Sequence, residues 1–301
     1  METLKPKNNR LISHGMAFFT IFIWALTFLC TKGLQESFTN LEILLFRYSL
    51  AYIVVWMIYP KKPVFYGWKI ESLIIIASIC GTSFYQYMEN VSVLYTTPAS
   101  VSFITAMAPL FTALFSRIIL KTKLEAKTII GMIISIIGVG FISFGDSKVI
   151  ETGLVGDMII LGIIWLWAIY TILVKILSER GYRGYMITRK LFFYSLVEMF
   201  IPVLFTVDVK MSDFTVPNIL GLAFLGVFAS AICFYTWNTS VERLGPVTTS
   251  KYLFIMPIIT LIAQMALKMA GFSYVALIGM CLILLGLFIS EKNSDEEATK
   301  D

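Results

Sequence analysis

The chain has 301 residues, 58% of them hydrophobic and 14% charged, with a formal net charge of +5. A soluble globular domain carries about a quarter charged residues, so this balance, with a mean hydropathy of +0.82, excludes a soluble fold and indicates an integral membrane protein. Apolar runs of roughly 20 residues, the length a helix needs to cross the hydrocarbon, fill almost the whole chain and leave no room for a separate catalytic or sensing domain.

In chain order the apolar runs predict ten spans, at roughly 12–34, 41–60, 70–93, 97–120, 126–145, 153–177, 185–206, 216–240, 246–268 and 272–290. The runs are continuous and do not alternate with period two, so they are helices and not barrel strands. The expected fold is an all-α integral membrane protein of ten transmembrane helices arranged as two inverted five-helix repeats.

The repeat is written in the residues. Asn90, Ser92, Val93, Pro98, Pro109, Gly131, Met132 and Gly138 recur in the same order as Asn238, Ser240, Val241, Pro246, Pro257, Gly279, Met280 and Gly286. An earlier stretch, Trp24 to Lys32, recurs as Trp167 to Lys175. An odd number of spans per copy makes the copies enter the membrane from opposite sides, an arrangement that places a transport site near the midplane where they meet. The polar stretch Asp146 to Gly153 separates them. This divides the chain into an N-terminal segment 1–11, a first repeat 12–148, a second repeat 149–290 and a charged tail 291–301.

Lys and Arg gather on one side of this topology, in the N-terminal segment, at Lys61 and Lys62, from Arg117 to Lys127, and from Lys175 to Lys190. By the positive-inside rule both termini are cytoplasmic in a multi-pass protein of the inner (plasma) membrane. The basic runs read as topology, so no nucleic-acid partner is expected; the expected partners are the lipid bilayer and a small-molecule substrate. Cys30, Cys80, Cys233 and Cys281 all fall inside spans without C-x-x-C spacing. No metal and no cofactor is expected. Gly131, Gly138, Gly140, Gly279 and Gly286 allow close helix approach in the fifth and tenth spans, either within a monomer or across a homodimer seam.

Candidate site residues follow from polarity inside apolar spans. Pro109 and Pro257 free the carbonyls of Thr105 and Leu253, shaping a path or a hinge. Trp24, Thr27 and Phe28 in span one, and Trp165, Trp167 and Tyr170 in span six, are mid-membrane and are not explained by an interfacial girdle. An aromatic and amide belt, Phe84, Tyr85, Gln86, Tyr87, Glu89 and Asn90 in the first copy and Phe234, Tyr235, Thr236, Trp237 and Asn238 in the second, suits a small amphipathic solute. Arg47 and Glu198 lie at similar depth, which predicts an ion pair or a shared cavity, with Arg47 on a carboxylate and Glu198 taking up a proton. Glu89, whose counterpart is Trp237, is a further proton-carrier candidate. Lys32 and Lys175 are equivalent span ends, either anchors or gates. A single histidine and the lack of a G-x-x-x-x-G-K-[ST] loop exclude the zinc-protease and P-loop classes, so the chain is not expected to be an enzyme.

The tract Trp24-Ala25-Leu26-Thr27-Phe28 followed by Lys32, Arg47 in span two, and the Pro98/Pro109 and Pro246/Pro257 helices resemble the EamA-type branch of the drug/metabolite transporter superfamily. The resemblance covers about residues 12 to 290. It implies a central cavity enclosed by both halves and export of amino acids or other metabolites, sometimes aromatic cations; relatives carry nucleotide sugars or take up choline. Ala25 stands where the family usually has glycine, and Tyr170-Thr171 where the first copy has Thr27-Phe28. The functional expectation is a secondary active transporter exporting a small amphipathic metabolite, such as an amino acid or aromatic compound, by alternating access. The alternatives are an uptake carrier or exchanger and, in another class, a uniporting pore or a non-transporting membrane interaction protein.

Overall fold

The computed structural model describes residues 6–60, 64–144, 153–268 and 274–291, and every regular element among them is helical. The expected break at Asp146 to Thr152 and the tail beyond Glu291 lie outside the described residues. Among the described residues six helical segments are long and apolar enough to span a membrane: Arg10–Leu34, Asn40–Ile58, Pro98–Ile119, Leu154–Glu179, Val216–Leu244 and Pro246–Ala266. Ala126–Phe141 and Leu277–Ser290 are shorter apolar helices.

Helix α1 (Pro6–Leu34) runs 29 residues, about 43 Å at the usual rise. Helix α2 (Asn40–Ile58) begins on a capping box, with the Glu42 amide donating to Thr39 Oγ1 and the Thr39 amide donating to the Glu42 carboxylate. Two N–H groups that a helix start leaves open are thereby satisfied.

The next element departs from the single span expected there, being two helices, α3 (Trp68–Gly81) and α4 (Ser83–Tyr95), broken at Thr82 (φ −126°, ψ −80°). The break is held by neighbours. A Cβ on Gly81 would overlap the Tyr170 ring, Tyr48 donates its phenol to the Thr82 carbonyl at 2.9 Å, and Ser195 Oγ lies 2.6 Å from Thr82 Oγ1. Helices α5 (Pro98–Thr105) and α6 (Ala108–Ile119) part where Pro109 has no N–H to offer Thr105.

After α7 (Ala126–Phe144), α8 (Leu154–Glu179) and α9 (Gly184–Thr206), helix α10 (Val216–Ala223) runs through nine π-helical residues, Phe224–Ile232, into α11 (Cys233–Leu244). Helix α12 (Pro246–Ser250) passes through a tight 3₁₀ turn, Lys251–Ile255, into α13 (Met256–Ala266), with Pro257 at its start. The last helix is α14 (Tyr274–Glu291).

Gly131, Gly138 and Gly286 are used for close packing inside the chain, whereas Gly140, also expected to allow close approach, has nothing within 4 Å of where a Cβ would stand. A Cβ on Gly138 would sit 2.6 Å from the Gly279 carbonyl oxygen, and one on Gly131 or Gly286 would overlap the other's carbonyl oxygen. Ser135 adds a bond to the Ile283 carbonyl at 3.3 Å. The outward faces of the two helices, with Ile130, Ile133, Leu284, Leu285 and Phe288, are exposed, as a lipid-facing surface requires and a water-facing one would not. Opposite this pair, α1 packs on α11 and α13, α4 on α8, and α2 on α9. Their shared centre is aromatic: Trp24, Trp167, Phe234 and Trp237 are buried against one another.

Candidate functional site

At this centre lies a cavity of about 20 Å³, room for about one water. Its apolar wall is Trp24 and Phe28 of α1, Trp167 of α8 and Met256 of α13; its polar side is Thr27, Arg47, Tyr85, Gln86, Glu89 and Thr105. Thr105 and Leu253, the residues whose carbonyls Pro109 and Pro257 release, both line it. The two kinked helices therefore each contribute a residue to the same space, and the Leu253 carbonyl accepts the Met256 amide within the 3₁₀ turn.

The π-helical stretch aims two of these groups. A π-helix, with i→i+5 bonds, is rare and occurs frequently at functional sites. Trp24 Nε1–H donates to the Ala229 carbonyl at 2.8 Å, and Arg47 Nε donates to Ser230 Oγ at 2.5 Å. Arg47, 3% exposed, is thus held along one edge while its guanidinium faces the cavity.

Glu89 is the carboxylate opposed to this charge, 8% exposed and receiving Gln86 Nε2 at 2.7 Å, with Tyr85 lining the same space. Among the described residues, three that line it carry a buried polar atom without a partner: Gln86 Oε1, Thr105 Oγ1 and the Trp167 indole nitrogen. A buried unpaired group costs about 1–3 kcal/mol. Two acceptors or hydroxyls and one donor around one space form a polar set that an amphipathic solute can complete.

Of the residues expected from sequence, Trp24, Thr27, Phe28, Arg47, Glu89, Thr105 and Trp167 are brought together here. Trp237 backs the cluster, its ring centroid 5.3 Å from Trp24 and 5.6 Å from Trp167. Tyr170 and Asn238 are buried beside it but bond each other at 2.5 Å, and Asn238 donates onward to Thr188. Asn90 sits beneath Gln35, which donates to its carbonyl, and Tyr87 opens on a separate crevice with Gln35, Glu42 and Asp208.

Trp165 and Tyr235 point away from the centre. Trp165 is 39% exposed and bonds the Gly162 carbonyl of its own helix, and Tyr235 is 37% exposed. Arg47 and Glu198 do not pair: among the described residues no ion pair joins them, and Glu198 is taken by Ser78 at 3.0 Å and by Ser83. Equal depth fixes a residue's height in a helix and leaves its azimuth open. Arg47 turns to the π segment, Glu198 to the break between α3 and α4.

Lys32 and Lys175 cap helix ends. Lys32 Nζ donates to the Val93 and Leu94 carbonyls of α4 at 2.7 and 2.9 Å, and Lys175 Nζ lies 3.4 Å from the Glu242 carbonyl of α11. Leu94 and Glu242 are equivalent positions of the sequence repeat. Cations on terminal carbonyls are favourable, so both lysines make the contacts of an anchor.

Tyr85 and Gln86 of the aromatic and amide belt, Leu253 and Met256 complete the lining. The aromatic and amide composition around Tyr85 and Gln86 signalled them, and Leu253 follows from the spacing to Pro257. Met256 carries no sequence signal that separates it from other apolar span residues.

A second polar cluster lies at the start of α3. Glu71 is ion-paired with Lys190 of α9, both nearly fully buried, and also receives the Tyr194 phenol at 2.5 Å and the Tyr66 amide at 2.9 Å. Lys190 Nζ stands 4.2 Å above the Tyr66 ring. This cluster ties α3 and the segment before it to α9.

The chain is similar to curated transporters of bacteria and archaea. It is 27% identical over 221 residues to an uncharacterized transporter of Clostridium kluyveri, covering 71% of this chain and 70% of that one. It is 28% identical over 217 residues to the uncharacterized transporter YyaM of Bacillus subtilis, covering 71% and 70%. An uncharacterized transporter of Archaeoglobus fulgidus is 24% identical over 273 residues, 90% of this chain and 95% of that one. A solved crystal structure shares the fold, with a TM-score of 0.75 over 94% of this chain and 98% of that chain at 14% identity. The model of the EamA-like transporter family matches twice, over residues 11–144 and again over 154–291. With its apolar spans, the chain is a multi-pass membrane transporter, not an enzyme, and it belongs to the EamA-like transporter family.

Proposed function

We propose that the protein is a secondary transporter that exports a small amphipathic metabolite, an amino acid or aromatic compound, through the central cavity. In this reading it has ten spans in two inverted copies, divided near residue 149, and sits in the plasma membrane with both termini cytoplasmic. The observation that carries the proposal is one buried space bearing a guanidinium, a carboxylate, unpaired polar atoms and an aromatic wall, with residues of both copies around it.

Each part has a role. Arg47 takes a carboxylate, because a guanidinium offers paired donors of the right geometry. Glu89 takes an ammonium or a proton, and Trp24, Phe28 and Trp167 take the apolar body of the solute. The space holds about one water, so the closed cavity must widen by movement of the copies against each other before solute enters. The proline breaks at Pro109 and Pro257 are the joints, since a helix without those backbone bonds bends at lower cost.

The test is counterflow in proteoliposomes preloaded with candidate amino acids and aromatic amines. Saturable exchange of external label against internal solute supports a carrier. Non-saturating leak, or no flux from folded protein across the panel, would count against it.

A further inference from the structure

Away from the central cavity, a second cavity of about 230 Å³ lies where the turn between α6 and α7, the turn at Gly245 and the end of α14 meet. We propose that it is a binding site for a phosphate oxyanion, carried either by an anionic lipid headgroup or by a free phosphate compound.

Among the described residues three lysines, Lys123, Lys127 and Lys251, and one carboxylate, Glu125, line it, Glu125 lying 2.7 Å from Lys127. Lys251 is not a surface anchor reaching for water. It is 3% exposed and donates to the Ser290 carbonyl at 3.1 Å. Beside it, Ser290 is also 3% exposed and lines the same space, and among the described residues its hydroxyl has no hydrogen-bond partner.

The first turn of α7, a 19-residue helix, opens on this space as well, and a helix start adds amide donors and a positive end. Buried lysine, unpaired hydroxyl and helix start together match the donors a phosphate accepts, and basic pockets between membrane helices hold lipid phosphates by this chemistry. The sequence repeat offers a contrast. The positions equivalent to Lys251 and Lys127 are Phe103 and Val275, so the pocket is a feature of one face and not a by-product of the duplicated fold.

The site does not depend on which solute the central cavity carries, and its test reads no transport. The full chain in phosphatidylcholine nanodiscs is titrated with inorganic phosphate at constant ionic strength set with chloride, and in a second arm is placed in nanodiscs with increasing phosphatidylglycerol. A saturable rise of the unfolding midpoint is expected in at least one arm: with phosphate alone the ligand is a free phosphate, and with phosphatidylglycerol alone it is a lipid headgroup. Lys123→Gln, on the exposed rim, and Lys251→Gln should each weaken the apparent affinity roughly tenfold; Ser290→Ala should weaken it in the same direction. No saturable rise in either arm, or an equal rise in wild type and in Lys123→Gln, overturns the proposal even if Lys251→Gln fails to fold.

Discussion

Trp24 and Trp167, equivalent residues of the two copies, meet edge to face with ring centroids 5.2 Å apart and planes at 84°. The repeat thus closes on itself at the cavity wall. The edge of one indole lies against the face of the other, the arrangement the aromatic quadrupole favours.

Truncating either ring should be costly, since Trp24 is 7% and Trp167 3% exposed. Trp24→Ala is expected to lose about 3–5 kcal/mol of stability, read as a lower unfolding midpoint in detergent. Trp24→Phe keeps most of the packing and loses the bond to the Ala229 carbonyl. It should stay folded yet show a raised half-saturation in counterflow.

The bond from Arg47 to Ser230 orients a charge by one edge. Hydrogen bonds to charged groups contribute about 1.5–3 kcal/mol, so Ser230→Ala should raise half-saturation for a carboxylate-bearing solute roughly tenfold or more. Arg47→Lys should lose more than this, because an ammonium cannot serve Ser230 and a carboxylate with a planar fork. Counterflow kinetics of the two variants, compared at equal reconstituted protein, give the answer.

Glu89→Gln removes the ionisable group and leaves a side chain of the same shape beside Gln86. Exchange at equal pH should persist. Accumulation driven by a pH gradient should vanish, and a variant that still responds to the gradient would assign proton coupling elsewhere.

The Glu71–Lys190 pair makes a stability prediction. With Lys190 7% and Glu71 0% exposed, Lys190→Met strands a buried carboxylate and should cost about 3–5 kcal/mol. Combining it with Glu71→Leu should recover much of the loss, since a packed apolar pair avoids the desolvation of both ions. Unfolding midpoints of the single and double variants decide it.

Helix and kink were legible in the residues. Continuous apolar runs give helices, and a proline breaks its helix at a predictable carbonyl, so Thr105 and Leu253 could be named. Arg47 and Trp167 were legible because charge and indole are expensive or unusual at mid-span. The break at Thr82 was not, because threonine is no breaker; the Tyr170 ring against Gly81 and the Tyr48 phenol hold it open, and those are tertiary contacts. The π segment, Phe224–Ile232, has no proline or polar cluster to announce it. Azimuth was the other missing quantity: Trp165 and Tyr235 lie outward, and Glu198 turns from Arg47, because apolar surroundings on every side of a membrane helix erase the amphipathic signal that orients a soluble one.

The central claim is that solute occupies the space around Thr27, Arg47 and Thr105. Its most direct test is the labelling of Thr27→Cys by a membrane-permeant maleimide, in a background with the four native cysteines replaced. A solute that counterflows should slow this labelling with the same half-saturation as its transport. Labelling unaffected by a transported solute would contradict the account and place the path elsewhere.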